Sequence, residues 1–83
     1  MTTLRDIIIE VKEEYLRACR KFDSFHNAHE GYAVLLEEVD ELWMAIKLNQ
    51  RIPYRDKHIR EEAIQVCAMA LRLIWDCCRE EDL

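Results

Sequence analysis

Residues 27–49 read NAHEGYAVLLEEVDELWMAIKLN, and their spacing predicts one long amphipathic helix. Asn27 and Glu30 have the spacing of a capping box, so we expect Asn27 to cap the helix N-terminus. Apolar residues recur every three or four positions, as on one face of a helix. The main stripe is Tyr32, Leu35, Val39, Leu42 and Ile46, widened by Leu36 and Trp43.

Two further helices are predicted on either side of this stretch. The first runs from about Thr3 to Phe22, with Thr3 and Asp6 suited to its capped start. A connection over residues 50–55 contains Pro53, the only proline. The third helix begins after Asp56, a plausible cap, and extends to about Arg79.

The third helix is predicted to be apolar on two sides. One stripe is Ile59, Ala63, Val66, Ala70, Leu73 and Cys77, and the other is Ile64, Cys67, Ala68, Leu71, Trp75 and Cys78. A helix of this kind is buried on two sides, which three short helices can hardly achieve alone. We therefore expect an all-α protein, a single domain over residues 1–83, whose three-helix subunit forms a helical bundle by homo-oligomerisation.

Composition limits the classes of partner. The 83 residues carry a net charge of −5, which disfavours a protein that coats nucleic acid or binds anionic membranes. We therefore expect no nucleic-acid and no membrane partner. A nucleotide ligand stays open, because bound cations can bridge acidic side chains to phosphates.

The cysteines and the first residues indicate the compartment. The four cysteines have no metal-binding spacing, and Cys67 lies among apolar residues where we expect a buried, unreactive thiol. The first turns lack the basic segment and apolar run of a secretory signal. We expect a cytoplasmic protein with reduced thiols.

Clustered carboxylates are the most informative chemical feature. Glu38 and Glu41 are neighbours on a helix surface and share a side with apolar residues, while Glu37 borders that side. Two like charges on a partly buried face must be protonated, paired or bound to a cation. The pattern predicts either a site for Mg²⁺, which prefers oxygen ligands, or a solvated acidic helix with salt bridges.

The third helix favours the cation site. Glu62 and Gln65 are three apart, and antiparallel packing of the second and third helices would let Glu62 face Glu38 and Glu41. Gln65 would add a neutral oxygen donor. Arg72 lies farther along this side, where it would contact a phosphate or form a surface ion pair.

The order of these motifs resembles the all-α nucleotide pyrophosphohydrolases of the MazG-like group. Residues 37–41 match that family's E-E-x-x-E motif, and Glu62 matches the first position of its E-x-x-D motif. Gln65 stands where the family has aspartate. The resemblance covers about residues 20–80, including the stretches 25–36 and 65–72.

The resemblance implies Mg²⁺-dependent hydrolysis of a nucleoside triphosphate to the monophosphate and pyrophosphate by a homodimer or a dimer of dimers. It implies metal ligation by Glu38, Glu41, Glu62 and Gln65, with Mn²⁺ as an alternative ion. Glu37 and Glu38 would be the catalytic carboxylates, Glu37 as a further ligand or as a base that orients water. The neutral Gln65 would weaken the hold on the metal.

Other functions remain open from the sequence. The chain could be a non-catalytic helical oligomer, an interaction or regulatory module that retains the fold, or a helical adaptor unrelated to nucleotides. Trp43 and Trp75 would stack on a base or pack at a core or interface. His26 and His29 are three apart, a spacing compatible with a transition metal.

Overall fold

The computed structural model describes residues 2–79 and contains three helices, with no strand in that range. They are α1 (Leu4–Lys21), α2 (Ala28–Ile46) and α3 (Arg55–Cys77). The all-α fold class is confirmed. Within the described residues, no helix is long and apolar enough to cross a membrane.

Helix α3 lies between the other two. It packs against α2 and α1, whereas α1 and α2 make no close backbone contact with each other in the described chain. Arg60 of α3 binds Glu10 of α1, and Arg72 binds the carbonyl oxygen of Asp23, so α1 and α3 run parallel. The short connection between α2 and α3 makes those two helices antiparallel.

The N-termini of α1 and α2 are capped as their sequences predict, with one difference. Thr3 and Asp6 form a reciprocal capping box. Asn27 Oδ1 accepts the Glu30 amide at 2.9 Å, whereas the Glu30 carboxylate accepts the backbone amide of His26, at 3.3 Å. Glu30 thus reaches one residue farther back than a capping box requires.

The connection between α2 and α3 differs from its predicted limits. Helix α2 ends at Ile46 rather than near Asn49, and Arg55 donates hydrogen bonds to the carbonyl oxygens of Ile46 and of Leu48, which follows the helix. The cap of α3 is Tyr54, which makes no side-chain capping bond, while Asp56 lies in the first turn. The cap predicted at Asp56 is therefore wrong: Arg55 already joins α3 because its guanidinium closes the end of α2.

The buried interior of the three-helix fold is small. Its buried apolar residues are Ala18, Phe25, Ala45, Ala68 and Met69. Helix α2 approaches α3 closely at Gly31, where an added Cβ would lie 2.5 Å from Leu73 Cδ1. Such a core of mostly small side chains stabilises the fold only modestly, since the stabilisation scales with the apolar area removed from water.

Candidate metal centre

Three carboxylates from two helices converge at the contact between α2 and α3. Glu38 and Glu41 lie one turn apart on α2, and Glu62 faces them from the first half of α3. One oxygen atom from each carboxylate lies within 4.8 Å of the other two. The structure thus brings together the three acidic residues that were predicted as metal ligands, from positions distant in sequence.

Burial and the repulsion of nearby carboxylates raise the pKa of Glu38. Its carboxyl group is half-buried between the two helices. Burial, followed by the charges of Glu41 and Glu62, raises the pKa of Glu38 to about 6. A carboxyl group with this pKa remains partly protonated in mildly acidic solution, and a bound cation would stabilise its ionised form.

Glu62 is half-buried, and one of its carboxylate oxygens is shielded from solvent. Burial, and then the charge of Glu41, raises the pKa of Glu62, while His58 lowers it. His58 Nδ1 lies 3.9 Å from Glu62 Oε1. The other oxygen, Oε2, is shielded from solvent and has no hydrogen-bond partner in the described structure. Buried polar atoms are normally satisfied, so this oxygen fits a ligand at the centre of the cluster.

Among the described residues, the ion pairs of lysine and arginine lie outside the cluster, whereas His58 lies within ion-pair distance of Glu62. Lysine and arginine form ion pairs in the pairs Arg17–Glu14, Arg55–Asp56, Lys57–Glu61 and Arg60–Glu10. Across residues 2–79, these pairs leave Glu38, Glu41 and Glu62 without a lysine or arginine partner. The three carboxylates offer hard oxygen donors, the ligand type that Mg²⁺ and Mn²⁺ prefer.

A cleft of about 670 Å³ adjoins the cluster. It opens between α1 and α2 above α3, and Glu38 belongs to both the cleft wall and the carboxylate cluster. Glu41 and Glu62 do not line it. A volume of this size suits a small-molecule ligand, which would meet the cluster through Glu38.

Glu37 and Gln65 lie on the cleft rather than among the three convergent oxygens. Glu37 is exposed on its rim, and Gln65 is half-buried in its wall, one turn after Glu62. Their predicted roles, ligation by Gln65 and water orientation by Glu37, stay predictions. Gln65 and Glu38 both line this cleft.

Arg72 is not the surface residue that the sequence suggested. Its side chain is 3% exposed, donates to the Asp23 carbonyl oxygen at 2.9 Å and lies 4.3 Å from the centroid of the Phe25 ring. The prediction of a surface ion pair is therefore wrong, whereas contact with a phosphate stays a prediction, since Arg72 lines the cleft. Because its charge is held by the α1–α2 turn and by aromatic rings, Arg72 fastens α3 to that turn at the floor of the cleft.

The structure adds two basic residues that sequence reasoning left out of the site. Arg17 and Lys21, one turn apart on α1, line the cleft opposite Glu37 and Glu38. The sequence alone identifies them as cations near a helix C-terminus, where positive charge interacts favourably with the helix dipole. Their spacing of four was the available signal, but only the packing of α1 on α3 places them at the cleft.

The remaining candidates are placed away from the cluster. Trp43 and Trp75 are exposed, so neither packs in the core of one subunit. His26 binds Glu30 through its ring at 3.1 Å. Cys67 is exposed, which corrects the expectation of a buried thiol. It sits on the side of α3 that neither α1 nor α2 covers.

Comparisons with known proteins leave the family open. No protein-family model matches this chain, and no curated protein and no solved structure matches it.

Proposed function

We propose that this protein is a Mg²⁺-dependent nucleoside triphosphate pyrophosphohydrolase, releasing the monophosphate and pyrophosphate. The observation that carries the proposal is the convergence of Glu38, Glu41 and Glu62 within 4.8 Å, including a solvent-shielded, unpartnered oxygen on Glu62. The resemblance of residues 37–41 and Glu62 to MazG-like motifs names the reaction. The adjoining cleft supports a small-molecule substrate.

The proposed reaction assigns a separate role to each group of site residues. Glu38, Glu41 and Glu62 would hold the cation, and Gln65 would offer its amide oxygen from the cleft wall. Bound Mg²⁺ supplies polarisation of phosphate oxygens and a lowered pKa for water. Glu37, on the rim beside Glu38, would accept a hydrogen bond from the attacking water and orient it.

The proposal includes assembly and location. The small core supports the expected helical bundle, a homodimer or a dimer of dimers, because a subunit with so little buried apolar surface gains stability by association. The four thiols are free in the structure, in keeping with the proposed cytoplasmic location.

One observation favours the second candidate function, a non-catalytic helical oligomer. Gln65 supplies no negative charge where the resembled motif has aspartate. A site with one carboxylate fewer binds divalent cations more weakly, since ligand charge tunes affinity. A protein of this kind would keep the bundle and the acidic cluster without turnover.

Pyrophosphate release decides between the two functions. We would incubate the protein with Mg²⁺ or Mn²⁺ and a panel of ribo- and deoxyribonucleoside triphosphates, canonical and modified. Wild type should release pyrophosphate from at least one substrate, and Glu38→Gln should abolish release. Asp40→Asn is the matched control, because Asp40 lies exposed on the same helix, outside the cluster.

Metal binding provides a separate readout. Cation that binds only the native state raises its stability by mass action, about 2.7 kcal/mol at 100 times Kd. We expect Mg²⁺ or Mn²⁺ to raise the Tm of wild type and of Asp40→Asn, with no rise for Glu38→Gln. Metal stabilisation without pyrophosphate release from any substrate would favour the non-catalytic function. A wild-type protein that shows neither metal stabilisation nor pyrophosphate release would contradict the proposed cation site.

A further inference from the structure

Helix α2 carries an exposed apolar stripe that the subunit does not use. Its members are Tyr32, Leu36, Val39, Trp43 and Ile46, each 37–59% exposed. They repeat at alternating spacings of four and three, the pattern by which one helix packs along another. Leu35 instead packs against the buried cluster that contains Ala68 and Met69 of α3, and Leu42 is half-buried. The stripe is therefore additional to the contact that holds α2 in the subunit.

Helices α3 and α1 continue the same apolar surface. On α3, Cys67, Leu71, Ile74 and Cys78 are exposed at the same alternating spacing. Leu71 and Trp75 line an almost wholly apolar groove between α3 and α1, together with Lys12 and Tyr15 of α1. We call the α2 stripe, the α3 stripe and this groove the back face.

The back face lies opposite the carboxylate cleft. At 3.6 residues per turn, the α2 stripe is centred roughly 180° around the helix from the cleft residues Val34, Glu37 and Glu38. The α3 stripe is centred roughly 150° from Gln65, Met69 and Arg72. The three helices thus form a layer with a polar, carboxylate-bearing side and an apolar side.

We propose that the back face binds the back face of a second copy of this chain, so that the two carboxylate clefts open to solvent on opposite outer sides of the dimer. This inference rests on the oligomer proposed above and identifies its interface. Each cleft is then built from the residues of one subunit, with no side chain from the partner.

Three observations identify the occupant as a second copy. The molecule measures 46 × 28 × 22 Å along its principal axes, so the side that contains the back face is broad enough for an interface of roughly 800 Å² per partner. The α2 stripe contains no charged residue, and an uncharged surface meets its own copy without repulsion. The net charge of −5 disfavours an anionic membrane as the occupant.

The test is the oligomeric state of wild type and of two neighbouring variants. Light scattering after size exclusion should give wild type a mass of twice 10.0 kDa, or four times if dimers pair. Trp43→Glu places a charge in the back face and should weaken association by at least about 30-fold. Met44→Glu is the matched control: Met44 is also exposed but lies outside the stripe, and its variant should associate like wild type.

Thiol labelling of the unmodified protein covers the case in which Trp43→Glu fails to fold. Cys67 and Cys78 lie on the α3 stripe and are exposed in one subunit. Their alkylation, measured per residue by peptide mass spectrometry, should slow as the protein concentration rises through the association range. Equal labelling at all concentrations would overturn the interface.

The outcomes separate this inference from the proposals before it. A wild type that is monomeric at submillimolar concentration would overturn both the oligomer and its interface. An oligomer that Trp43→Glu leaves intact, with Cys67 and Cys78 still reactive, would overturn the back face alone. These measurements use neither metal nor nucleotide, so they are independent of whether the protein hydrolyses a substrate.

Discussion

Glu38 on α2 and Glu62 on α3 bring carboxylate oxygens within 4.8 Å of each other across the contact between two antiparallel helices. Neither residue gains a lysine or arginine partner among residues 2–79. The pair therefore raises the free energy of the metal-free native state, and a cation between the carboxylates would remove that cost. This relationship underlies three of the four predictions that follow.

The stability of the metal-free protein should fall as pH rises from about 4.5 to about 6. In the unfolded chain Glu38 titrates near its ordinary pKa of 4.5, whereas in the native state its pKa is about 6. Between these values the native state holds a proton that the unfolded chain releases, so raising the pH favours unfolding. The expected loss from this group is about 1 kcal/mol, reduced from its full value by partial solvent exposure.

Urea unfolding across this pH range, with a chelator present, measures the effect. Glu38→Gln cannot ionise and should show a flatter dependence on pH. A wild type whose stability rises steadily between pH 4.5 and 6, in parallel with the variant, would contradict the raised pKa.

Glu62→Gln should stabilise the metal-free protein while removing its response to metal. The amide carries no charge and can donate a hydrogen bond to a neighbouring carboxylate, which relieves the repulsion. A gain of about 0.5–1 kcal/mol corresponds to a rise in Tm of roughly 3–6 °C for a domain of this size. Scanning calorimetry with chelator and then with Mg²⁺ or Mn²⁺ measures both effects.

Glu61→Gln is the control for this substitution. Glu61 precedes Glu62 on α3 but is exposed and pairs with Lys57. Its variant should keep the metal-induced rise in Tm. If both variants respond to metal like wild type, Glu62 is not a ligand.

Gln65→Asp should tighten metal binding. It adds a carboxylate one turn after Glu62, on the wall of the cleft that contains Glu38. We expect about tenfold higher affinity for Mg²⁺, about 1.4 kcal/mol, and a metal-free protein that is less stable by a few tenths of a kcal/mol because of the added repulsion. Isothermal titration calorimetry gives the affinity, and pyrophosphate release should increase in parallel. An unchanged affinity would mean that this position does not reach the ion.

Arg72→Ala should destabilise the fold by about 2–4 kcal/mol. The substitution removes the hydrogen bond to the Asp23 carbonyl and the packing against Phe25, and it leaves a cavity between α3 and the α1–α2 turn. Arg17→Ala is the comparison, because Arg17 is exposed and its ion pair with Glu14 lies on the surface; its cost should stay below about 1 kcal/mol. Equal losses in urea unfolding would contradict the structural role of Arg72.

Local pattern was sufficient to predict the helices and part of the site. Apolar periodicity located all three helices, and the caps at Thr3 and Asn27 follow from side chains that bond within one turn. The same short-range helix geometry predicted that Glu38 and Glu41, three residues apart, are neighbours on the surface of α2. The facing position of Glu62 required one further assumption, antiparallel packing after a short connection, and the structure agrees with it.

The errors share a cause, since each depends on contacts that reach beyond two helical turns. Helix α3 begins at Arg55, before Asp56, and the Arg55 guanidinium donates a hydrogen bond to the Ile46 carbonyl oxygen at the end of α2. Arg72 is buried because the α1–α2 turn folds over it. Cys67 is exposed because α1 and α2 leave that side of α3 uncovered, and Arg17 and Lys21 enter the site through the packing of α1.

The sequence by itself determined the helical class, the two caps and the carboxylate pair on α2, because backbone hydrogen bonds and side-chain periodicity act over one or two turns. The tertiary structure decided three further features. The Glu62 carboxylate lies beside that of Glu38, and Arg72 is buried. Apolar residues of all three helices lie on one uncovered side of the molecule. Those outcomes depend on how each helix is rotated against its neighbours. That rotation is set by packing at close contacts such as Gly31 against Leu73, which no local pattern contains.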